Sequence, residues 1–380
     1  MFWRVSLIAV LAVFASVAHA EQGVTDTEIL LGEVEPLSGP PALLGVAYNV
    51  GTKVAIAEAN AAGGVNGRKL RLIAEDDGYV AARAVQAFRK LVEVDKVFAL
   101  TSLSASHGVA ALPVVEKSGI PTMASIAPVN ALYSPPRKNV FVIGQSYEEG
   151  TAGLVTYLAA KYPGKKWGVI TQDDDYGMTV KAGFAAAAKR NNINVVYDAE
   201  YKKGQQDFSS EMLALRSAGV EVFLMGGIIS ENGAMMRELE KLKAKPVVGI
   251  MWPGRLEATL KLMGPQSDGT YAVDYVVADQ SQAVKAFLER AKSLLSEAEV
   301  KAVNRYSLVG YASGRVLIEA MRRCGKDLTW ACAIKELEST KGAETGVMGP
   351  VTFGPGVRFS AQGLRIMEAD FASLKFRPVP

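Results

Sequence analysis

The chain has 380 residues, 49% hydrophobic and 21% charged, with 42 Lys+Arg against 39 Asp+Glu for a net charge of +3. That length suffices for two ordinary domains, and the composition is globular, which excludes a largely disordered chain. The near-balance of charge, with no basic cluster interleaved with aromatics, argues against a nucleic-acid surface.

The first residues, MFWR, lead into the apolar run Val5 to Val17 and then Ala18-His19-Ala20. A basic start, a short apolar stretch and an A-x-A site predict a signal peptide over residues 1–20, cleaved after Ala20. The run is short for a membrane span, so no direct membrane insertion is expected after cleavage. Loss of Arg4 leaves 41 Lys+Arg against 39 Asp+Glu.

From residue 29 onward, short β-rich runs alternate with amphipathic helices. Ile29 to Val34 reads as a strand, followed by VEPLSGPPALLG as a connecting loop. Ala47, Val50, Val54, Ala57 and Ala61 then recur at helical spacing up to Gly63-Gly64, a natural helix stop. Asn66-Gly67 turns the chain into the strand KLRLIAEDD, and a second helix carries Ala84, Ala87, Phe88, Leu91 and Val92. Val97 to Leu100 and Ile120 to Ala124 read as strands, with a helical segment over 106–118 interrupted by Pro113. The rhythm restarts at Val140. Strands are expected at Trp167 to Thr171, Val195 to Ala199, Val220 to Met225 and Val247 to Ile250, with helices near 148–161, 177–190, 207–217 and 230–243. Repeated strand-helix-strand units predict an α/β protein with two doubly wound parallel-sheet lobes. In such sheets, ligands bind beyond the carboxyl ends of the strands.

LSGP after the first strand, AAGGVNGRKL, EDDG, EKSGIPTMAS and DDDYG follow one another in an order and spacing that resemble the periplasmic solute-binding proteins of the leucine/isoleucine/valine-binding type. The resemblance spans essentially the whole mature chain. It implies a periplasmic subunit of an ABC importer, with a small organic ligand and an inner-membrane permease as partners and no cofactor. It also implies two lobes joined by a three-segment hinge. The crossings are expected near Gly144 to Tyr147, Val273 to Val276 and Pro350 to Gly354. Lobe 1 is then 21–145 plus 275–352, and lobe 2 is 146–274 plus 353–380. A ligand that touches both lobes stabilises the closed form by its differential affinity for it.

TSLSASHG places Ser102, Ser104 and Ser106 where a strand gives way to a helix. With Ser125, their hydroxyls and the nearby backbone N–H groups suit a carboxylate. The resemblance agrees on these two segments and adds Tyr176 in DDDYG, with Tyr147 as a further candidate for the cleft wall. It also places Leu44, Ile228 and Trp252 where amino-acid-binding relatives carry polar, aromatic or acidic groups, the acid at Trp252 being the partner of the α-ammonium. A buried ammonium without an acid costs several kcal/mol. The expected ligand is therefore a carboxylate with an aromatic or branched aliphatic body. Glu231, Asp76 or Asp77 as a substitute acid keeps a branched-chain or other hydrophobic amino acid as the alternative, and a ligand-sensing receptor without transport is a further one.

Asp173 to Asp175 lack the alternation of a calcium loop and suit a helix start instead, so no metal is expected. Cys324 and Cys332 suit a disulfide in an oxidising compartment, worth roughly 2–3 kcal/mol, with two buried free thiols as the alternative. An enzyme is not expected. The mature chain has one histidine, His107, directly after Ser106 and without a G-x-S-x-G elbow, which reads as a capping or surface residue. No strand-turn-helix G-x-G-x-x-G is present.

Overall fold

The computed structural model describes residues 21–39, 41–103 and 105–379, and of residues 105 and 106 the backbone alone. The predicted signal peptide and Ser104 lie outside the described residues.

The first part of the chain lays down β1 (Glu28–Glu35), β2 (Lys69–Asp76), β3 (Ala99–Leu100), β4 (Thr122–Met123) and β5 (Val140–Gly144). Between them run α1 (Ala42–Ala61), α2 (Ala81–Arg89) and α3 (Ala105–Ser118). The chain then crosses and builds β6 (Lys166–Gln172), β7 (Asn194–Tyr201), β8 (Val222–Gly226), β9 (Val247–Ile250) and β10 (Tyr271–Asp274). These alternate with α4 (Tyr147–Lys161), α5 (Asp175–Arg190), α6 (Ser209–Ser217), α7 (Ser230–Lys241) and α8 (Glu257–Met263). It returns with α9 (Gln282–Leu294), α10 (Glu297–Lys301), α11 (Arg305–Arg323), α12 (Trp330–Glu338) and β11 (Phe359–Ala361), and ends in β12 (Arg365–Asp370) and β13 (Lys375–Pro378).

Lobe 1 holds a six-stranded sheet in the order β11-β5-β4-β3-β1-β2, with every pair parallel. Lobe 2 holds seven strands, β13-β12-β10-β9-β8-β6-β7. Its β12 and β13 pair antiparallel, so this sheet is mixed at one edge rather than wholly parallel.

The first two crossings fall where expected, after β5 and after β10. The third does not lie at 350–354. Phe359, Ser360 and Ala361 still pair with β5 in lobe 1, so the crossing is at 362–364 and residues 353–361 belong to lobe 1. Hydrogen bonds tie this crossing to the first: Gln362 N donates to Gly144 O (2.7 Å), and Gln145 Nε2 donates to Gln362 O (2.8 Å).

Two further local differences bear on the cleft. The helix after the first strand begins at Ala42, so Leu43 and Leu44 lie in its first turn rather than in a loop. Pro113 is accommodated inside α3. Helix α11 packs against α1 at glycine contacts, where a Cβ on Gly51 would lie 2.0 Å from Ser307 O and one on Gly310 2.2 Å from Tyr48 O. Only glycine permits that approach. It sets the start of α11 beside the start of α1, at the mouth of the sheet. Cys324 and Cys332 are joined by a disulfide that links the end of α11 to the start of α12.

Candidate functional site

The carboxyl ends of the two sheets face one another across a small inner chamber of about 30 Å3. Lobe 1 contributes Pro36 after β1, Leu44 in α1, Tyr79 between β2 and α2, Ile126 after β4 and Tyr306 in α11. Tyr147 in α4, Tyr176 in α5, Ile228 after β8 and Pro253 after β9 complete it from the other side. No charged side chain lines the chamber among the described residues. Its tyrosines are held by other rings. Tyr147 stacks on Trp252 (4.4 Å between centroids, 18° between planes) and meets Tyr176 edge-on at 4.8 Å. Trp252 fits because residue 150 of α4 is glycine: a Cβ there would lie 2.4 Å from Trp252 Cζ3. Burial pushes the phenols of Tyr147 and Tyr176 well above the ordinary tyrosine value, so both remain neutral O–H groups.

An outer chamber of about 500 Å3 shares Pro41, Tyr79 and Ile228 with the inner one and adds Gln172, Lys203 and Glu231. Tyr79 stands between the two. Its backbone is left-handed (φ +62°), held by Tyr79 N donating to Asp77 Oδ1 (2.7 Å). Its ring meets His107 edge-on at 4.0 Å. From lobe 2, Lys203 Nζ donates to Tyr79 O (2.5 Å) and lies 3.4 Å from the ring centroid. Glu231 is buried in the first turn of α7, a favourable place for an acid.

Behind the inner chamber, Arg255, Asp274 and Arg305 form a fully buried ion cluster across the lobes. Arg305 donates to both oxygens of Asp274 (2.7 and 2.8 Å), and Arg255 Nε bonds the same carboxylate. Arg255 Nη1 also donates to Asp279 (2.7 Å). Burial alone would push the Asp274 carboxyl up, but Arg305 and Arg255 outweigh it and hold it below the usual aspartate value.

The lobe 1 wall is acidic beneath its surface. Glu33 bonds Asn49 and Thr101, Glu35 bonds Ser102, and Asp77 bonds His107 Nδ1 (3.1 Å), all buried. Burial raises the carboxyl of Glu35 well above its ordinary value, and the nearby charge of Glu33 adds to the shift. A larger groove of about 890 Å3 opens at the opposite edge of lobe 2, where β9 and β10 begin, and contains none of the sequence candidates.

The family model for periplasmic binding proteins matches residues 28–373. The chain belongs to the periplasmic binding protein family. It is 28% identical over 363 residues to a Leu/Ile/Val-binding protein homolog 7 of Brucella abortus (strain 2308), covering 90% of this chain and 88% of that one. It shares its fold with a branched chain amino acid ABC transporter protein from Thermus thermophilus with bound valine (TM-score 0.84, 20% identity, 94% of this chain and 96% of that chain). It also shares it with an ABC transporter solute binding protein from R. palustris in complex with 4-hydroxybenzoate (TM-score 0.82, 18% identity, 93% and 96%). The family is one of binding proteins, not enzymes.

In this binding protein the fold brings Leu44, Tyr147, Tyr176 and Ile228 together at the inner chamber. Trp252 lies one layer behind, fully buried under Tyr147. The serines are placed differently from the expectation. Ser102 is buried and donates to Glu35 and Val34 O, and Ser125 accepts from Ile143 N (3.0 Å), so neither hydroxyl faces the cleft. The side chain of Ser106 lies outside the described residues, as does Ser104. His107 is neither a cap nor a surface residue: it is buried and paired with Asp77. Asp76 is engaged by Leu37 N, Ser38 Oγ and Gly78 N. Asp174 caps α5 by accepting from Gly177 N (3.1 Å), and no group of three or more potential metal ligands occurs among the described residues. No helix among them is long and apolar enough to cross a membrane. Sequence reading missed Tyr79, Tyr306, Arg255 and Arg305. The arginines follow WPG and precede a tyrosine, and only the fold shows that Asp274 joins them.

Proposed function

We propose that this chain is the substrate-binding component of an ABC importer, capturing a small carboxylate with an aromatic or branched apolar body and presenting it to an inner-membrane permease. One observation carries the reading: the inner chamber draws its wall from both lobes and is lined by aliphatic and aromatic side chains without a single charge among the described residues. Both lobes gain contact with such a ligand only when the hinge closes, which is the differential affinity that drives closure. An ammonium group sealed there without an acid would cost several kcal/mol. The valine and 4-hydroxybenzoate complexes of the structural neighbours fit a ligand of this size.

A second reading, a hydrophobic amino acid, is favoured by Glu231, which lines the adjoining outer chamber and would meet an ammonium placed there. A thermal-shift panel separates the two. Ligand at 100 times its dissociation constant stabilises the native state by about 2.7 kcal/mol. The expected result is a raised midpoint with 4-hydroxybenzoate, octanoate or 4-methyl-2-oxopentanoate and little change with leucine or valine. A strong response to leucine, lost in Glu231→Gln, establishes the second reading instead.

A further inference from the structure

Three segments converge behind the inner chamber: Trp252 to Arg255 of lobe 2, Asp274 and Tyr275 at the second crossing, and Arg305 and Tyr306 at the start of α11 in lobe 1. The ring centroids of Trp252 and Tyr275 are 5.2 Å apart, and Arg305 Cζ lies 5.0 Å from the Tyr275 ring and 4.5 Å from that of Tyr306. Within this cluster Trp252 Nε1, Arg255 Nη2, Arg305 Nη1 and Tyr275 Oη are buried without a hydrogen-bond partner in the structure. The first three can only donate. A buried donor without an acceptor is costly, and a charged one more so, which marks the place of a missing acceptor.

The charge of the cluster says what kind of acceptor. Two fully buried guanidiniums share one fully buried carboxylate, Asp274. The other acid, Asp279, is 35% exposed and engages only Arg255 Nη1 from the solvent side. The buried part therefore carries an excess positive charge, which an anion neutralises. The cluster also adjoins the apolar chamber, because Pro253, Tyr306 and the Tyr147 ring stacked on Trp252 all line it. The Cζ3 edge of Trp252 faces Gly150 of α4, which leaves Nε1 on the opposite edge of the indole.

We propose that Trp252, Arg255, Tyr275 and Arg305 form the subsite for the ligand's carboxylate, with the apolar body against the tyrosines of the inner chamber. The assignment rests on the carboxylate reading and deepens it: the anionic end belongs at the hinge, not at the serines of lobe 1. Arg305 comes from lobe 1 while Arg255 and Asp274 come from lobe 2. Opening the hinge parts them and exposes the donors, and closing it gathers them around the bound anion.

The test uses Trp252→Phe, which keeps a ring on Tyr147 but deletes the donor, and Tyr275→Phe, which deletes one hydroxyl. Full-length mature protein is titrated calorimetrically with whichever of 4-hydroxybenzoate, octanoate and 4-methyl-2-oxopentanoate stabilises the wild type, and with the corresponding primary amide. The wild type is expected to prefer the acid, and the preference to fall by roughly tenfold in Trp252→Phe, with the unliganded melting point little changed. If Trp252→Phe folds poorly, Tyr275→Phe decides alone. An acid-over-amide preference left intact by the folded variants overturns the subsite, as does a crystal of the complex with only ordered water on these atoms. A wild type that none of the three acids stabilises is a separate failure, because it overturns the carboxylate reading itself.

Discussion

On the lobe 1 wall of the cleft Ser102 donates to Glu35, His107 pairs with Asp77 and Ser125 accepts from the backbone of β5, so the buried polar groups have partners within their own lobe. On the hinge side Trp252 Nε1, Arg255 Nη2 and Arg305 Nη1 are equally buried and have none. The first wall is finished by folding, whereas the second offers donors to something else. Residue type alone misleads here. Serines at a strand-to-helix junction look like a carboxylate site, yet the acid that ends β1 occupies one of them before any ligand does.

The contrast can be broken most severely at Asp274. Asp274→Asn leaves two buried guanidiniums facing a neutral amide, and the expected loss is about 3–5 kcal/mol of stability in denaturant unfolding. A loss under 1 kcal/mol would mean that the cluster is more hydrated than its burial indicates. Next in size is Ser125→Ala, which strips the acceptor from Ile143 N. It is expected to cost about 1–3 kcal/mol of stability while leaving ligand affinity unchanged. A weakened affinity at full stability would return the carboxylate to lobe 1.

The smallest effect sharpens the comparison through pH. Burial, reinforced by Glu33, raises the native carboxyl of Glu35 above its ordinary value of 4.5. Its contribution to stability is therefore complete below the unfolded value and is lost as pH rises through the native one. Glu35→Gln should raise the melting temperature at about pH 7–8 and match the wild type near pH 4. A variant less stable than the wild type at pH 8 would show that Ser102 holds a charged Glu35.

Much of this was legible in the sequence. The strand and helix alternation follows from local periodicity, and the expected Val247 to Ile250 strand coincides with β9. Leu44, Tyr147, Tyr176 and Ile228 were legible because each sits at the carboxyl end of a strand or in the first turn of the helix beyond it. The third crossing was misplaced because β11 is three residues long and is defined only by pairing with β5, more than two hundred positions earlier. Tyr79 reaches the cleft through a left-handed backbone position, and Tyr306 through the glycine-mediated approach of α11 to α1. Neither leaves a periodic signature. Ser102 turned inward because the end of β1 is buried on both faces, where two-residue alternation carries no information about direction.

The central claim, a cleft built for an apolar acid rather than a zwitterion, is tested most directly by calorimetric titration of the mature protein with leucine and with 4-methyl-2-oxopentanoate, which share a carbon skeleton and differ in ammonium against carbonyl. The expected result is that the oxo acid binds more tightly by roughly tenfold or more. Tighter binding of leucine would contradict it.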